Sequence, residues 1–514
     1  MARLLCFAAI ALGASAGCAE DDTDAARMAW LASTLVEDNL DLLARDPQPV
    51  AEKFAKMSTG PYAFFRGSLG QFVRDSASPR FMGASALGGS RDTRIMLVGD
   101  PHPENIGTFR RPDGLVVIDF NDFDAARFGP WSLDVRRMAL GFVALSLELE
   151  LELKLEAQRA DADAGEGEGE GEGEGEFGFS DTGIIRPSLQ NAGRLAEVMA
   201  RTYAQELRSL QFNPTWLTIA HEEVLFGRGS GVGKIVEDLF RRAQRDGFQR
   251  AEQHTYVEEG TPPRLQRGEI EPRADVRFRE DELIEPTPAE SRSVRQLIEA
   301  YSHRNAKRNV ERPTIDAVAD VARQLGQGVS SYPILRYLAL ATTSDDEVVL
   351  LELKEARDPF VLNLPLFPAH AFNNNAERII QIEKALQISD ENDLWLGESS
   401  AGPSSFRIRS LTGFQKTLRV RRIQNLLAEG TIDQQLDLAD LARTSGRLLA
   451  HAHARGSTID GDRSLGVLPP VSPDALAHET AAFVNDYGPR FENDFRLFRS
   501  LLNDAGPTLG YHPR

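Results

Sequence analysis

Two acidic segments in the first quarter of the chain carry residue types that phosphoryl transfer requires. In the first segment, Asp100 is followed five positions later by Asn105. Phosphotransferases use an Asp to accept the proton of the attacking hydroxyl, and an Asn five residues further on to bind a metal ion. Gly-Asp-Pro is also a common turn or helix N-cap, so the pair is informative only together with other motifs. On this spacing we predict Asp100 as the catalytic residue and Asn105 as a metal ligand.

The second segment is a short apolar run that ends in Asp119. A strand that ends in an acid holds a carboxylate rigidly at the edge of a cleft, as binding of magnesium and phosphate needs. Asp122 and Asp124 follow closely, and carboxylates this close repel one another unless a cation or a basic partner lies near. We therefore predict that Asp119 and Asp122 bind Mg²⁺ together with Asn105.

A third group of candidates lies far downstream, where Gly326 and Gly328 precede two strand-like runs and the second run carries Lys354. Glycines let backbone N–H groups approach phosphate oxygens, and a Lys on a neighbouring strand reaches the same oxygens. A lone Gly-x-Gly is more often a tight turn, so the predicted nucleotide site rests on the combination with Lys354. Glu377 or Glu383, on the next helical segment, is the predicted partner of Lys354, as a kinase helix-C glutamate would be.

We predict that other polar residues near these segments support the catalytic, metal-binding and nucleotide-binding residues. The supporting set is Arg66, His102, Glu104, Asp124, Asp134, Glu377, Glu383 and Arg409. For Arg66, Arg409 and Lys416 the ordinary alternative to phosphate or substrate binding is a plain surface position. His451 and His453 are two residues apart and fall on different faces of a helix, so we expect satisfied buried histidines rather than a metal pair.

Hydrophobic periodicity and shifts in composition assign the elements that must position these residues. Strands are predicted at 95–98, 114–118, 332–340 and 347–354, strand-like pieces at 405–423, and helices at 134–158, 375–388 and in the tail from 433. The predicted division is 1–18, a leader; 19–60, helical; 61–160, the catalytic and metal loops; 161–178, a disordered tract; 179–316, a helical and charged connection; 317–425, a β-rich nucleotide-side unit; and 426–514, helical. We expect an α+β protein with a large helical content.

Bulk composition narrows the class of partner. The net charge of −19 argues against a nucleic-acid-binding protein, because a broad basic surface is not expected with that balance. Part of the acidic excess is local, since residues 165–176 alternate Gly and Glu. Such a tract cannot bury surface and repels itself, so residues 161–176 are predicted to be disordered. The expected partner is a small-molecule or protein substrate, and the oligomeric state is left open.

The N-terminus has the pattern of an export signal, with a short basic start, an apolar run too short to span a bilayer, and small residues before Cys18. We predict a bacterial envelope protein whose only membrane contact is a lipid on Cys18. Ordinary cleavage after Ala16 or Ala19 is an alternative. A true start at Met28 would instead place the protein in the cytoplasm. The second cysteine, Cys6, lies within the leader, so no internal disulfide is expected.

These motifs resemble those of a bacterial family of unknown function, DUF2252. The resemblance covers roughly residues 50–500 and rests on Gly-Asp-Pro-His-Pro-Glu-Asn-Ile-Gly at 99–107, Ile-Asp-Phe-Asn-Asp-Phe-Asp at 118–124, and Gly-Pro-Trp at 129–131 with Asp134. The family is placed in the protein-kinase-like superfamily, near aminoglycoside phosphotransferases and choline kinases. By position, the resemblance implies that Asp100 is the catalytic Asp, that Asn105 and Asp119 bind metal, and that Lys354 binds phosphate. The implied cofactors are ATP or another nucleotide and Mg²⁺.

The sequence departs from a kinase in the order of its motifs. Kinases place the glycine loop and its Lys before the catalytic Asp, whereas here Gly326 and Lys354 come long after Asp100. We therefore predict a two-lobed, protein-kinase-like fold that is circularly permuted, with residues 317–425 as the nucleotide-side lobe. A second departure is Ser331, which stands where the family tends to have a third glycine.

Three functions are weighed on these grounds. The first is a Mg²⁺-dependent, ATP-dependent phosphotransferase that acts on a hydroxyl of a small molecule or protein. Because ATP is scarce outside the cytoplasm, the alternative is a catalytically inactive, kinase-like envelope lipoprotein that binds a nucleotide or another ligand. Gly-Asp-x-His also opens dinuclear phosphoesterase sites, but these need further Gly-Asn-His-type ligand motifs, and none occurs among the nine histidines.

Overall fold

The computed structural model combines long helices with small antiparallel sheets, in agreement with the predicted α+β class. It describes residues 23–78, 81, 94–111, 114–164, 187–213, 232–247, 255–256, 263–268, 281–308, 314–361, 372–388, 393–457 and 471–505. The helices in these ranges are α1 (Asp24–Asp38), α2 (Leu40–Arg45), α3 (Pro47–Met57), α4 (Pro61–Gly67), α5 (Leu69–Ser76), α6 (Trp131–Ala164), α7 (Pro187–Phe212), α8 (Lys234–Asp246), α9 (Pro288–Arg308), α10 (Asn375–Leu386), α11 (Val420–Ala428), α12 (Gln434–Gly456) and α13 (Pro473–Ala505). The strands are β1 (Arg94–Leu97), β2 (Ile106–Arg110), β3 (Val116–Phe120), β4 (Arg127–Pro130), β5 (Thr255–Tyr256), β6 (Arg264–Leu265), β7 (Glu282–Ile284), β8 (Ile315–Leu325), β9 (Arg336–Thr343), β10 (Val348–Ala356), β11 (Gly397–Ala401) and β12 (Ser404–Ser410).

The largest sheet has the antiparallel order β11-β12-β10-β9-β8-β7. Side chains alternate between its two faces, so Leu351 and Leu353 point one way while Glu352 and Lys354 point the other. The leucine face packs against α9 and forms a separate apolar cluster with residues such as Tyr301. Burial on that side fixes the register, and this leaves the charged face of β10 turned toward the rest of the molecule.

The helical part is organised around α7, which packs along α6, α12 and α13. Trp131 at the start of α6 stacks on Tyr203 of α7, with ring centroids 5.9 Å apart. Gly446 lets α12 approach α7 closely, because a Cβ at this position would overlap the carbonyl oxygen of Met199. The first turns of α6 are buried on nearly every side, because other helices enclose them, even though they carry Asp134 and Arg137.

Two hairpin-like pairs lie between the sheet and the helices. β1 pairs with β4 and β2 pairs with β3, in each case antiparallel. The chain that leaves β12 also pairs with β2: Thr108 N–H donates to the Lys416 carbonyl at 2.8 Å, and Leu418 N–H donates to the Ile106 carbonyl at 2.9 Å. This backbone pairing ties the large sheet to the segment that carries Asp100.

The N-terminal helices are held to the C-terminal helix by a buried ion cluster. Arg27 of α1 donates to Asp75 of α5 and to Asp494 of α13, with the shortest distances at 2.6 Å. Tyr487 of α13 donates to the same Asp75 carboxylate at 2.8 Å. A chain that started at Met28 would lack this arginine and would leave two buried carboxylates without it.

Most of the predicted elements around the candidate residues are confirmed, with differences at their ends. The strand predicted to begin at residue 332 begins at Arg336, because residues 331–334 form turns. The helix predicted to end at residue 158 continues to Ala164, so the predicted disorder of residues 161–164 is wrong. The stretch 405–423 is strand only to Ser410 and becomes helix at Val420. The leader with Cys18 and the Gly-Glu tract at 165–176 lie outside the described residues. None of the described helices has the length and apolar content needed to cross a bilayer.

Gly99 lies between β1 and Asp100, and its replacement would test how tightly the backbone is packed there. Its φ is +87°, and a Cβ here would overlap the carbonyl oxygen of Ala125. We expect Gly99→Ala to lose at least about 3 kcal/mol of unfolding free energy, because the overlap adds to the roughly 1–2 kcal/mol cost of a left-handed residue. Urea denaturation would measure it. Gly402→Ala, with φ +58° and nothing within 4 Å, is the matched control and should lose only the backbone cost. Equal losses in the two variants would contradict the predicted clash.

Candidate functional site

An open cleft lies between the large sheet, the N-terminal helices and the segment that carries Asp100. The cleft contains several of the residues predicted from sequence as well as others that were not predicted. Its lining comprises Asp38, Asn39, Leu42, Lys53, Arg66, Leu69, Asp100, His102, Asn105, Asp122, Asp124, Ala125, Ser330, Ser331, Ile334, Glu355, Arg357 and Pro359.

Lys354 on β10 meets the acidic loop that follows β3. Its ammonium nitrogen lies 2.5 Å from Asp124 Oδ2 and 3.6 Å from Asp122 Oδ1. Burial raises the pKa of Asp122, but the charges of Lys354, Arg407 and Arg66 outweigh burial and hold this pKa well below its ordinary value. Segments that are far apart in the chain are thus joined by a charge pair at the edge of the cleft.

Lys354 is the centre of a row of three cations that crosses the sheet. In the strand register it lies opposite Arg336 on β9 and Arg407 on β12. Like charges directly opposite one another repel, so such a row requires anions nearby. Glu352 accepts from Arg336 at 2.8 Å, and Glu383 of α10 accepts from Arg407 at 3.3 Å. Both glutamates are occupied by the flanking arginines, which leaves Lys354 with the acidic loop.

Asp100 is held by Arg137, a residue that the sequence prediction missed. Arg137 Nε donates to Asp100 Oδ1 at 2.6 Å, and its guanidinium carbon lies 3.6 Å from the centroid of the Phe65 ring. Burial raises the pKa of Asp100, and the charges of Arg137 and Arg66 oppose the rise. Asp100 Oδ2 lies 4.0 Å from His102 Nε2. Arg137 follows Asp134 by three residues on one helix face, and this spacing is the signal that could have revealed it.

Asn105 connects the two acidic segments rather than pointing a free oxygen into the cleft. Its side-chain amide donates to the Asp100 carbonyl at 3.1 Å and to the Asp122 carbonyl at 2.8 Å. Its Oδ1 accepts from the N–H groups of Asp122 at 2.7 Å and Asn121 at 3.2 Å. Since an amide oxygen has two lone pairs, Asn105 is fully used as a bracket between the loops in this arrangement.

Asp119 is turned away from the cleft, in contrast to its predicted role as a metal ligand. Its carboxylate accepts from Ile388 N–H at 2.6 Å and from Phe120 N–H at 2.8 Å, and Arg455 lies 3.7 Å away. Burial raises its pKa, and Arg455 with the two N–H groups opposes the rise. Asp119 therefore fastens β3 to the end of α10, and it is not among the residues that line the cleft.

Asp134 anchors the backbone that leads into Asp100. It is fully buried and accepts from Val98 N–H at 2.8 Å and Gly99 N–H at 3.1 Å. His453 Nε2 lies 3.1 Å from the same carboxylate, and its Nδ1 lies 2.8 Å from the hydroxyl of Tyr203. His453 is therefore a satisfied buried histidine, as expected.

Glu104, His102 and Arg66 form a second polar group beside Asp100. Arg66 donates to Glu104 at 2.9 Å, and the other Glu104 oxygen accepts from the N–H of Val420 at 2.8 Å. Tyr62 receives a hydrogen bond from Glu104 N–H at 3.1 Å, and its hydroxyl lies 3.3 Å from His102 Nδ1. Burial lowers the pKa of His102 well below its ordinary value, with help from Arg66, so this imidazole is neutral at physiological pH.

The predicted glycine loop contributes to the cleft through different residues from those expected. Gly326 and Gly328 have positive φ values of 83° and 76°, which only glycine adopts easily. Neither residue lines the cleft, whereas Ser330 and Ser331 of the same turn do. Lys56 of α3 donates to the Gly326 carbonyl at 3.0 Å and holds the loop against the N-terminal helices.

Other predicted partners are placed elsewhere. Glu377 accepts from the N–H of Asn373 at the start of α10, and Arg409 donates to Glu352 at 2.6 Å. Lys416 pairs with Asp246 at 3.0 Å. None of these residues, nor Glu383, forms an ion pair with Lys354 among the described residues, so the predicted kinase-type lysine–glutamate pair is not formed.

Oxygen ligands for Mg²⁺ are available at the acidic loop and not at the other predicted positions. Asp122 and Asp124 have exposed side-chain fractions of 38% and 25% and are paired with Lys354. In the described part of the chain, no three His, Cys, Asp or Glu side chains are grouped to hold a metal ion. Mg²⁺ usually binds one or two carboxylates together with substrate phosphates, and the acidic loop fits that pattern.

The sequence was compared with known families and proteins. The model of a family described as "Uncharacterized protein conserved in bacteria (DUF2252)" matches residues 45–160 and 186–501. No curated protein and no solved structure matched the chain.

Glu148 of α6 contacts the backbone of α4 near the cleft, and its titration should make the unfolding free energy depend on pH. Its carboxylate accepts from the N–H of Tyr62 at 2.9 Å, and burial raises its pKa to about 7. A raised carboxyl pKa adds stability below the unfolded-state pKa, and this contribution is lost as pH rises through the folded-state value. Relative to Glu148→Gln, we expect the wild-type unfolding free energy to fall between pH 5 and pH 8 by up to about 3 kcal/mol.

Urea denaturation across this pH range would measure the difference for Glu148. The exposed Glu237 provides the matched control, and Glu237→Gln should follow the wild-type curve. A wild-type curve parallel to that of Glu148→Gln would show that this carboxyl titrates normally.

Proposed function

The chain belongs to the DUF2252 family of uncharacterised bacterial proteins, and from this premise we propose that it is a kinase-like, Mg²⁺-dependent phosphotransferase. The donor is ATP or a similar nucleotide, and the acceptor is a hydroxyl of a small molecule or protein. The observation that carries the proposal is the contact of Lys354 with Asp122 and Asp124 at the cleft that also contains Asp100. Asp100, Asp122 and Asp124 line this cleft, and Lys354 contacts the two loop carboxylates from the sheet. A candidate base, candidate metal ligands and a candidate phosphate-binding lysine are thus linked through one cleft, which suits phosphoryl transfer.

The order of elements around Lys354 supports the kinase-like part of the proposal. A glycine turn, a strand, a strand that carries the lysine and a helix that carries Glu383 follow one another, as in the nucleotide-side lobe of kinases. The catalytic segment precedes this unit in the chain instead of following it. A circular permutation of the kinase-like arrangement would account for that order. The backbone hydrogen bond between Thr108 and Lys416 holds the two parts together in space.

Because Arg336 and Arg407 are paired with Glu352 and Glu383, Lys354 is the member of the row that would supply positive charge to a nucleotide's phosphates. Asp122 and Asp124 would hold Mg²⁺, which, when bound, neutralises phosphate oxygens and stabilises the charge of the transferring group. A phosphate chain that contacts Lys354 would replace the carboxylates as its partner and leave them to the metal.

Asp100 is the proposed base. The acceptor oxygen attacks the terminal phosphorus of the donor, its proton passes to Asp100, and the nucleoside diphosphate leaves with the bonding electrons. Burial raises the pKa of Asp100, which improves it as a proton acceptor, while Arg137 fixes one carboxylate oxygen and leaves the other for the substrate.

A second candidate is a ligand-binding protein of kinase-like form without turnover. One observation favours it: Glu383 pairs with Arg407, so Lys354 lacks the helix glutamate that orients it in active kinases. The leader at residues 1–18 adds to this alternative, because export to the envelope, with or without a lipid on Cys18, separates the protein from cytoplasmic ATP. A start at Met28 would remove that separation.

Nucleotide binding tests the first candidate and the nucleotide-binding form of the second. Isothermal titration with ATP and Mg²⁺ should give saturable binding to the wild type. The affinity should fall at least about tenfold in Lys354→Met and in Asp122→Asn, because each removes a contact with the phosphate or the metal. Asp345→Asn, in the exposed turn between β9 and β10, should bind like the wild type. Absence of ATP binding to the wild type would overturn the ATP-dependent phosphotransferase and would restrict the second candidate to a ligand other than ATP.

Turnover separates the first candidate from the second. Release of ADP with a panel of hydroxyl acceptors should fall about 10²- to 10⁴-fold in Asp100→Asn while ATP affinity is retained, as expected for loss of a general base. ADP release that is equal in Asp100→Asn and wild type would exclude Asp100 as the base.

A further inference from the structure

We propose that Lys53 and Arg357 form an oxyanion-binding subsite in the cleft, which receives a carboxylate or phosphate group of the acceptor. The assignment of this subsite to the acceptor rests on the proposed phosphotransferase function. The anion site itself rests only on the two side chains. Neither residue has a role in the nucleotide or metal contacts described above, although both line the same cleft as Asp100.

Lys53 of α3 is a buried ammonium with almost no protein partner. Its side chain has a relative exposure of 4%, and its Nζ donates to Asn39 Oδ1 at 3.0 Å. In the described part of the chain, Lys53 forms no ion pair with a carboxylate. An ammonium has three donors, so two remain for a ligand in the cleft. Burial lowers the pKa of Lys53 to about 8, so the group stays mostly protonated at neutral pH.

Arg357, just after β10, supplies an independent second donor. Its Nη2 donates to Asp41 at 2.7 Å, and its Nε donates to the carbonyl of Asp358 at 3.3 Å. Its Nη1 is buried and has no hydrogen-bond partner. The charges of Arg357 and Lys53 act on each other, since Arg357 contributes to the lowered pKa of Lys53. A buried guanidinium nitrogen beside a buried ammonium is a pair that an oxyanion satisfies with charge-assisted hydrogen bonds.

Asp41 pairs with Nη2 of Arg357, and the charge of Asp38 acts on Lys53, but the carboxylate oxygens of Asp38 and Glu355 are bound by other cations. Arg74 donates to both oxygens of Asp38, at 2.7 and 2.8 Å. Arg45 donates to both oxygens of Glu355, at 2.8 and 2.9 Å. The Lys53 ammonium and Nη1 of Arg357 therefore keep donors that none of these carboxylates binds, and both residues line the cleft. Retaining a nearly unpaired buried ammonium costs stability, and ligand binding is the use that explains it.

The position of the subsite assigns it to the acceptor rather than to the nucleotide. The nucleotide contacts proposed above come from the large sheet and the acidic loop, whereas Lys53 and Asn39 come from the N-terminal helices. The lining residues Ser330 and Ser331 belong to the loop that α3 holds in place. An acceptor whose anionic group binds Lys53 and Arg357 would present its hydroxyl within the cleft that contains Asp100.

The test uses the full chain without nucleotide or magnesium, titrated by calorimetry with inorganic phosphate and with acetate at constant ionic strength. Wild type should bind one of these anions saturably. The affinity should fall at least tenfold in Lys53→Met and in Arg357→Met, while Lys53→Arg, which keeps the charge, retains binding. Lys154→Met, which removes a lysine with 54% side-chain exposure, is the matched control and should leave the affinity unchanged. Tighter binding of phosphate or of acetate identifies the class of anion.

Lys354→Met distinguishes this proposal from the proposed function. The Lys53-dependent anion site should persist in Lys354→Met even though ATP affinity is lost. Anion binding that disappears in Lys354→Met but survives in Lys53→Met would overturn the subsite. Absence of any saturable effect beyond that of chloride would also overturn it. ATP binding without the anion site refutes this inference alone, and the reverse result refutes the proposed nucleotide site alone.

Discussion

The ion pair between Lys354 and the acidic loop is the interaction on which the cleft depends. It joins the large sheet to the hairpin that follows Asp100, and the lysine is buried with no other anion at ion-pair distance among the described residues. Removing one member of a fully buried pair typically costs about 3–5 kcal/mol, and the cost is smaller here because Asp122 and Asp124 are 38% and 25% exposed. The same pair is the first that an anionic ligand would replace, so it links the stability of the empty cleft to its proposed use.

The other buried charges also need partners of opposite charge, and they differ in whether the protein supplies them. Arg137 is ion-paired with Asp100 and Arg407 with Glu383, although each keeps one buried nitrogen without a hydrogen-bond partner in the described part of the chain. Lys53 differs, because its ammonium has one hydrogen bond, to Asn39, and no ion pair among the described residues. Nη1 of Arg357, which lines the same cleft, has no hydrogen-bond partner among them. Buried polar groups are normally satisfied, and an unsatisfied group in a cleft therefore points to a ligand. The distribution of paired and unpaired charge is what gives different parts of the cleft different proposed roles.

The candidate site was only partly accessible from local sequence patterns. The spacing of Asp100, Asn105 and Asp122 identified segments that do meet at one cleft. The direction in which each side chain points was not accessible, because alternation along β3 defines two faces but does not say which one meets the cleft. Asp119 takes the face that meets the end of α10, and its acid is used there to bind backbone N–H groups. Asn105 is likewise used as a bracket between loops.

Hydrophobic periodicity and turn residues act over short distances, so they were enough to predict the α+β class, the paired strands around residues 343–346 and the helices of the C-terminal part. Which charges become partners depends on the packing of the whole fold. Lys354 was predicted to form an ion pair with a glutamate of the next helix. Instead, Glu383 of that helix pairs with Arg407, and Lys354 pairs with Asp124. Several arrangements of the same charges satisfy the local pattern, and the packing of the sheet against the β2–β3 pair selects one of them. The physical reason is that charge pairing depends on distances in space, which residue spacing along one strand or helix does not set.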